Sequence, residues 1–173
     1  EKGALQAQAD LSISVDVVMP SGGITDQKDK IEDLITRKVD GIAVSPIDAA
    51  NQTELLNKAA ERTNLVTHDS DAPDSNRLCY IGMDNYEAGL MCAELVTKAL
   101  PEGGKVMIFV GRMEQDNAKH RRQGLIDGLI GKKREEGGVD LPEDKFLHVP
   151  AQTIEKGNVD EFWSTLKKRL GKE

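Results

Sequence analysis

Short β-prone runs alternate with stretches of helical periodicity along this chain, and that alternation restricts the fold more than any other feature. It is the order that βαβ units around a parallel sheet produce, because each parallel strand pair needs a crossover that a helix can supply. Strands are expected at Ile13 to Met19, Gly41 to Ser45, Leu65 to His68, Leu78 to Gly82, Lys105 to Val110 and, more weakly, Phe146 to Val149. Between them, Thr25 is expected to cap a helix whose buried stripe is Ile31, Leu34 and Ile35. A second helix spans Ala49 to Arg62, with Leu55, Leu56, Ala59 and Ala60 on its core face. Asp84 and Glu87 stand three apart, a capping-box spacing that opens a helix from Asn85 to Leu100. Two more helices are expected at Gln115 to Ile130 and Ile154 to Leu170, separated by a charged connector from Gly131 to Asp144.

Composition narrows what such a sheet can serve. A chain of 173 residues with 38% hydrophobic and 31% charged residues can bury a true core, roughly 70% of its unfolded surface for a globule of this size. No apolar run reaches the length of a membrane span, so direct membrane insertion is not expected. The formal net charge of -7 argues against a nucleic-acid partner, which needs a positive footprint. Lys119, His120, Arg121 and Arg122 form a basic cluster, yet no aromatic residues are interleaved with them to stack on bases. Cys79 and Cys92 read first as two small buried apolar residues and second as a disulfide. Neither stands at zinc-type spacing from His68, His120 or His148, so no metal is expected. The segment Glu1 to Ala9 reads as the middle of a helix rather than as a signal peptide.

In an open parallel sheet, ligands bind beyond the carboxyl ends of the strands. The loops there are Met19-Pro20-Ser21, Ser45-Pro46-Ile47-Asp48, Asp69-Ser70-Asp71, Met83-Asp84-Asn85 and Gly111 to Lys119, a set rich in Asp, Asn, Ser and Arg. These groups between them donate to and accept from hydroxyls, which suits a polyhydroxylated ligand whose buried groups each need a partner. Each also has a plainer role: Asp84 as a helix cap, Asp69 in an Asx turn, and Asn117, Lys119 and Arg121 on a solvated helix face. No GxGxxG, GxxxxGK[ST] or GxSxG motif is present, and no enzymatic activity or cofactor is expected.

Several stretches together resemble the ribose/galactose type of periplasmic sugar-binding protein. Val39-Asp40-Gly41-Ile42-Ala43-Val44-Ser45-Pro46 is similar to one of its strands. Asp69-Ser70-Asp71-Ala72-Pro73, followed by Asn76 to Asn85, is similar to the segment that follows. Gly103 to Gly111 resembles the strand opening its second lobe, and Asn117-Ala118-Lys119 with Arg121 and Gly124 the next helix. The match runs from about Glu1 to Ile130 and is loose beyond. The resemblance implies an α/β fold built on a doubly wound parallel sheet, with flavodoxin-like lobe topology and an incomplete two-lobe arrangement. It implies a first lobe over residues 1–102 lacking its initial strand and the start of a second over 103–173, divided at Pro101 to Gly104. It also implies a monosaccharide ligand, an ABC importer permease as partner, and a periplasmic or extracellular lipoprotein location. Asp69 matches the carboxylate that grips sugar hydroxyls, and Asn117 with Lys119 or Arg121 the polar positions of the second lobe. Ser70 stands where relatives often carry Arg, which leaves the sugar unspecified.

Two readings of the tail remain open. Phe146 to Leu170 continues the second lobe, or it supplies the missing strand of a permuted first lobe, with Phe162-Trp163 resembling the family's sugar-stacking aromatic pair. The plainer role of Phe162-Trp163 is the core face of an amphipathic helix with Leu166 and Leu170. Without the opening strand, two sheet edges would stand unpaired and could support a dimer. Weak or absent sugar binding by this chain alone is then expected. The alternatives are the effector-binding domain of a LacI-type sugar-responsive transcription regulator, which shares the fold, and an engineered lobe with no retained ligand.

Overall fold

The computed structural model describes residues 1–131, 146–148, 153–154 and 156–172. The chain forms two compact units, one made of Glu1–Ser21 with Gln152–Glu173 and the other of Gly22–Ala151.

The larger unit holds a parallel sheet in the order β1 (Gly41–Val44), β2 (Asn64–His68), β3 (Cys79–Gly82), β4 (Phe146–His148). Ile42 and Val44 alternate with exposed Gly41 and Ala43, and Leu65 and Thr67 do the same in β2, so one face of these strands carries the core. With α1 being Lys2–Leu11, the helices of this unit are α2 (Gly23–Arg37), α3 (Ala49–Ala60), α4 (Asn85–Ala99) and α5 (Asp116–Leu129). Ile31 of α2 and Leu56 and Ala59 of α3 are buried against Ile42, Val44 and Leu65, with Leu34, Ile35 and Leu55 packed at the margin. The apolar stripes expected of both helices are therefore the ones that face the sheet.

Helix ends follow local chemistry. Asp84 caps α4 by accepting from the N–H groups of Tyr86 and Glu87, both at 3.0 Å. Asp48 caps α3 in the same way through Asn51 at 3.2 Å. At α2 the helix begins two residues before the expected Thr25 cap, and Asp26 reaches back to accept from the Gly22 N–H at 3.0 Å. A residue placed to bond backward can set a terminus as well as one placed to bond forward.

Two expected strands do not form. Residues 13–19 and 105–110 form no regular secondary structure and join no sheet among the described residues. The Ile13 and Val15 N–H groups instead donate to the backbone and side-chain oxygens of Gln8, while Met107 and Phe109 are 77% and 85% exposed. A run of β-prone apolar residues gives a segment the propensity for a strand, but only a ladder partner makes it one. The strand at 146–148 does form and pairs in parallel with β3. The charged connector from Gly131 to Asp144 lies, apart from Gly131, outside the described residues.

In the smaller unit, α1 places the first residues in a helix as their sequence implies, and the Lys2 ammonium donates to the Leu170 carbonyl at the end of α6 (Val159–Leu170). Along α6, Phe162, Leu166 and Leu170 share a half-buried face, while Trp163 is 54% exposed under the Lys167 ammonium, 5.8 Å from its ring centroid.

Candidate ligand-binding site

The carboxyl ends of β1, β2 and β3 carry the polar loops foreseen for a ligand, and buried side chains hold those loops in place. After β1, Gln27 of α2 donates to the Ser45 carbonyl at 2.9 Å and accepts from the Ile47 N–H at 3.0 Å. Gln52 of α3, fully buried, donates to the same Gln27 oxygen at 2.9 Å and accepts from the Asp48 N–H at 2.9 Å. Two glutamines thus satisfy the backbone of a loop that has left the sheet, where an unpaired group would cost about 1–3 kcal/mol.

After β2, the chain turns sharply at Asp69, whose φ is 60°. The Ser70 N–H donates to the His68 carbonyl at 2.7 Å, closing a three-residue turn around it. Asp is among the residues that tolerate this left-handed backbone, but it still needs outside support. Support comes from β3: the Asp69 N–H donates to the Ile81 carbonyl at 3.2 Å, and the Tyr80 hydroxyl donates to the Asp69 carbonyl at 2.9 Å. The rest of the loop is pinned by a buried ion pair in which Arg77 donates twice to Asp71, at 2.5 and 2.6 Å. Thr67 and the Ala72 N–H also donate to that carboxylate, at 2.5 and 2.8 Å, so a charge taken out of water is fully bonded.

On this frame the Asp69 carboxylate is exposed, accepting from Ser45 Oγ and from Asn117 Nδ2, each at 3.3 Å. Asn117 is the second residue of α5 and only 9% exposed. One helical turn along, Arg121 is exposed and donates to Asn85 Oδ1 at 2.5 Å. Lys119 is exposed, and its charge acts on Asp48. Hydrogen bonds from Asn51, first the side-chain amide and then the backbone, hold the Asp48 carboxyl below its usual value, with the charges of Lys119 and Lys28 helping against partial burial. His120 is pushed above its ordinary value by its hydrogen bond to Asp116 at 3.1 Å. Burial raises the Tyr80 phenol to about 12, so it remains a protonated donor at neutral pH.

Of the four residues singled out from sequence, Asp69 and Asn117 are in direct contact and Arg121 joins them through Asn85 and Tyr80, while the charge of Lys119 acts on Asp48. The helix bearing three of them is seated on α4 by glycines. A Cβ on Gly89 or Gly124 would overlap the backbone of the facing helix, and Tyr86 bonds Asp127 across the pair at 3.0 Å. Such an arrangement of one carboxylate, two amides and one guanidinium can donate to and accept from adjacent hydroxyls. Among the described residues there is no group of His, Cys, Asp and Glu able to hold a metal ion, and no helix long and apolar enough to cross a membrane.

A family model described as a periplasmic binding protein domain matches residues 1–158. The chain belongs to that family. Among solved structures of such proteins, it is similar to an ABC transporter solute-binding protein from Burkholderia graminis in complex with D-arabinose, at 30% identity and a TM-score of 0.72 over 96% of this chain and 55% of that one. A sugar-binding protein of a sugar ABC transporter from Bacillus halodurans matches at 29% identity and 0.63, over 75% of this chain and 45% of that one. An arabinose-binding protein from Geobacillus stearothermophilus matches at 28% and 0.60, over 86% and 48%. The chain spans about half the length of these periplasmic binding proteins. No curated protein matches.

Sequence reasoning passed over Tyr80, Gln27 and Gln52. Tyr80 reads as one more apolar strand residue, and the glutamines lie on helices whose stripe was read from apolar positions alone. A signal existed for the tyrosine: Gly82, two residues on and on the same side of the strand, is where a close approach to another group is expected.

Proposed function

We propose that this chain is part of a solute-binding protein that captures a monosaccharide and delivers it to an ABC importer, without catalysis. The observation that carries this reading is the Asp69 carboxylate, exposed at the carboxyl end of β2 and flanked by Ser45 and Asn117. In this reading Asp69 accepts from two sugar hydroxyls, Asn117 and Arg121 donate to them, and Lys119 guides the approach from the rim. The D-arabinose in the Burkholderia graminis neighbour and the sugar-binding descriptions of the others support a pentose or hexose ligand. The same company supports a permease partner and a periplasmic or extracellular lipoprotein location.

The reading includes a passage between a first lobe, 1–102, and the start of a second, 103–173. The end of α4 at Ala99 and the positive φ of 81° at Gly103 are consistent with a break there. Dimerisation would use the outer edge of β1, beyond which no strand is paired among the described residues. Calorimetric titration at high sugar concentration against a panel of pentoses and hexoses tests the function. Weak binding of at least one sugar, abolished by Asp69→Ala, is the expected outcome. Equal heats from Asp69→Ala and the unaltered chain, or none with any sugar, would count against it.

A further inference from the structure

We propose that Tyr80 is a positioning residue of this site, its hydroxyl fixing both the turn that presents Asp69 and the amide that presents Arg121. The proposal rests on the reading of Asp69 and Arg121 as ligand-facing groups, and extends it to a residue buried beneath them.

The direction of every proton in the chain of contacts can be worked out. Arg121 has only donors, so the Asn85 atom it meets at 2.5 Å must be the carbonyl oxygen. The Asn85 NH₂ therefore faces inward, donating to the Tyr80 hydroxyl and to the Met83 carbonyl, both at 3.3 Å. Since that hydroxyl accepts from Asn85, its own single proton is free for a carbonyl. Asp69 O at 2.9 Å is a better acceptor for it than Met83 O at 3.2 Å. One oxygen thus joins the loop after β2 to the N-terminus of α4 and, through Asn85, to α5.

Two further observations point the same way. Asp69 is held at a φ of 60° in the middle of a three-residue turn, a backbone state that persists only where surrounding groups over-determine it. The Tyr80 bond to its carbonyl is one of those groups. Gly82 supplies the space: a Cβ there would overlap the Tyr80 hydroxyl and the ring carbon that bears it. A side chain at 82 is thus incompatible with the tyrosine reaching the turn. The phenol's pKa of about 12, raised chiefly by burial, keeps the donor in place across the neutral range.

The deciding experiment compares crystal structures of the ligand-free chain and its Tyr80→Phe variant. Asp69 is expected to leave the positive-φ region and its carboxylate to lose Ser45 or Asn117. Asp69 unchanged in backbone and contacts would overturn the proposal. Gly82→Ala keeps the hydroxyl but drives it from its seat, and the same displacement of Asp69 is expected; an unmoved Asp69 beside a displaced Tyr80 would overturn it too. In titrations with D-arabinose, Tyr80→Phe is expected to bind about tenfold more weakly, the loss of one hydrogen bond's contribution. Affinity unchanged in that variant would contradict the positioning role. If the unaltered chain binds no pentose or hexose, the sugar reading fails by itself, and the ligand-free structures still decide the role of Tyr80.

Discussion

The site has two halves built in different ways. Ser45 and Asp69 project from loops locked by buried polar side chains, whereas Lys119 and Arg121 project from the exposed face of a helix held by backbone contact with its neighbour. In the first half, position depends on satisfied hydrogen bonds. In the second, it depends on how closely α5 approaches α4. The comparison teaches that the buried side chains behind the sheet-borne half should be expensive to remove, and the exposed side chains of the helix-borne half cheap in stability but sensitive in ligand contact.

The largest expected effect comes from the buried ion pair. Arg77→Ala leaves the Asp71 carboxylate without its main partner at 4% exposure, and should lower unfolding free energy by about 3–5 kcal/mol in denaturant titration. A loss under about 1 kcal/mol would break the contrast. Gly124→Ala should cost about 1–3 kcal/mol, since the added methyl meets the Tyr86 carbonyl and α5 must move away. That displacement should also carry Asn117 from Asp69, seen as a changed Asn117 side-chain amide resonance. Gln52→Ala removes two hydrogen bonds within the glutamine relay and should cost about 1–3 kcal/mol. Lys119→Ala, by contrast, should shift stability by no more than about 0.5 kcal/mol.

Much of this architecture was legible in the sequence. The strands β1, β2 and β3, the stripes of α2 and α3 and the Asp84 cap all depend on local spacing, and spacing is what a sequence displays. Residues 13–19 and 105–110 show the limit, because they are as rich in β-prone apolar residues as β1 and yet have no ladder partner among the described residues. Pairing is a property of the neighbour. The same limit applies at the site: Asp69, Asn117 and Arg121 were identifiable as polar groups near strand ends and helix starts. Their linkage through Tyr80 and Asn85 required knowing that β3 lies beside β2.

The smallest expected effect is electrostatic. His120 lies on the helix-borne half, and its pKa is raised mainly by Asp116, with Asp84 and Asp71 adding to the effect against partial burial. A folded-state pKa above the unfolded value of about 6.5 gives stability that is fully present below that value and lost as pH rises through the folded pKa. The imidazole is more than half exposed, so the change should be slight. Proton NMR should find the His120 midpoint above 6.5 and lower in Asp116→Asn.

Amide NMR during sugar titration tests the central claim most directly, with the unaltered chain and Asp69→Ala followed side by side. The account predicts that one pentose or hexose produces weak, saturable shifts at Ser45, Asp69, Asn85, Asn117 and Arg121, all lost in Asp69→Ala. Shifts confined to other residues, or shifts that persist undiminished without the Asp69 carboxylate, would contradict it.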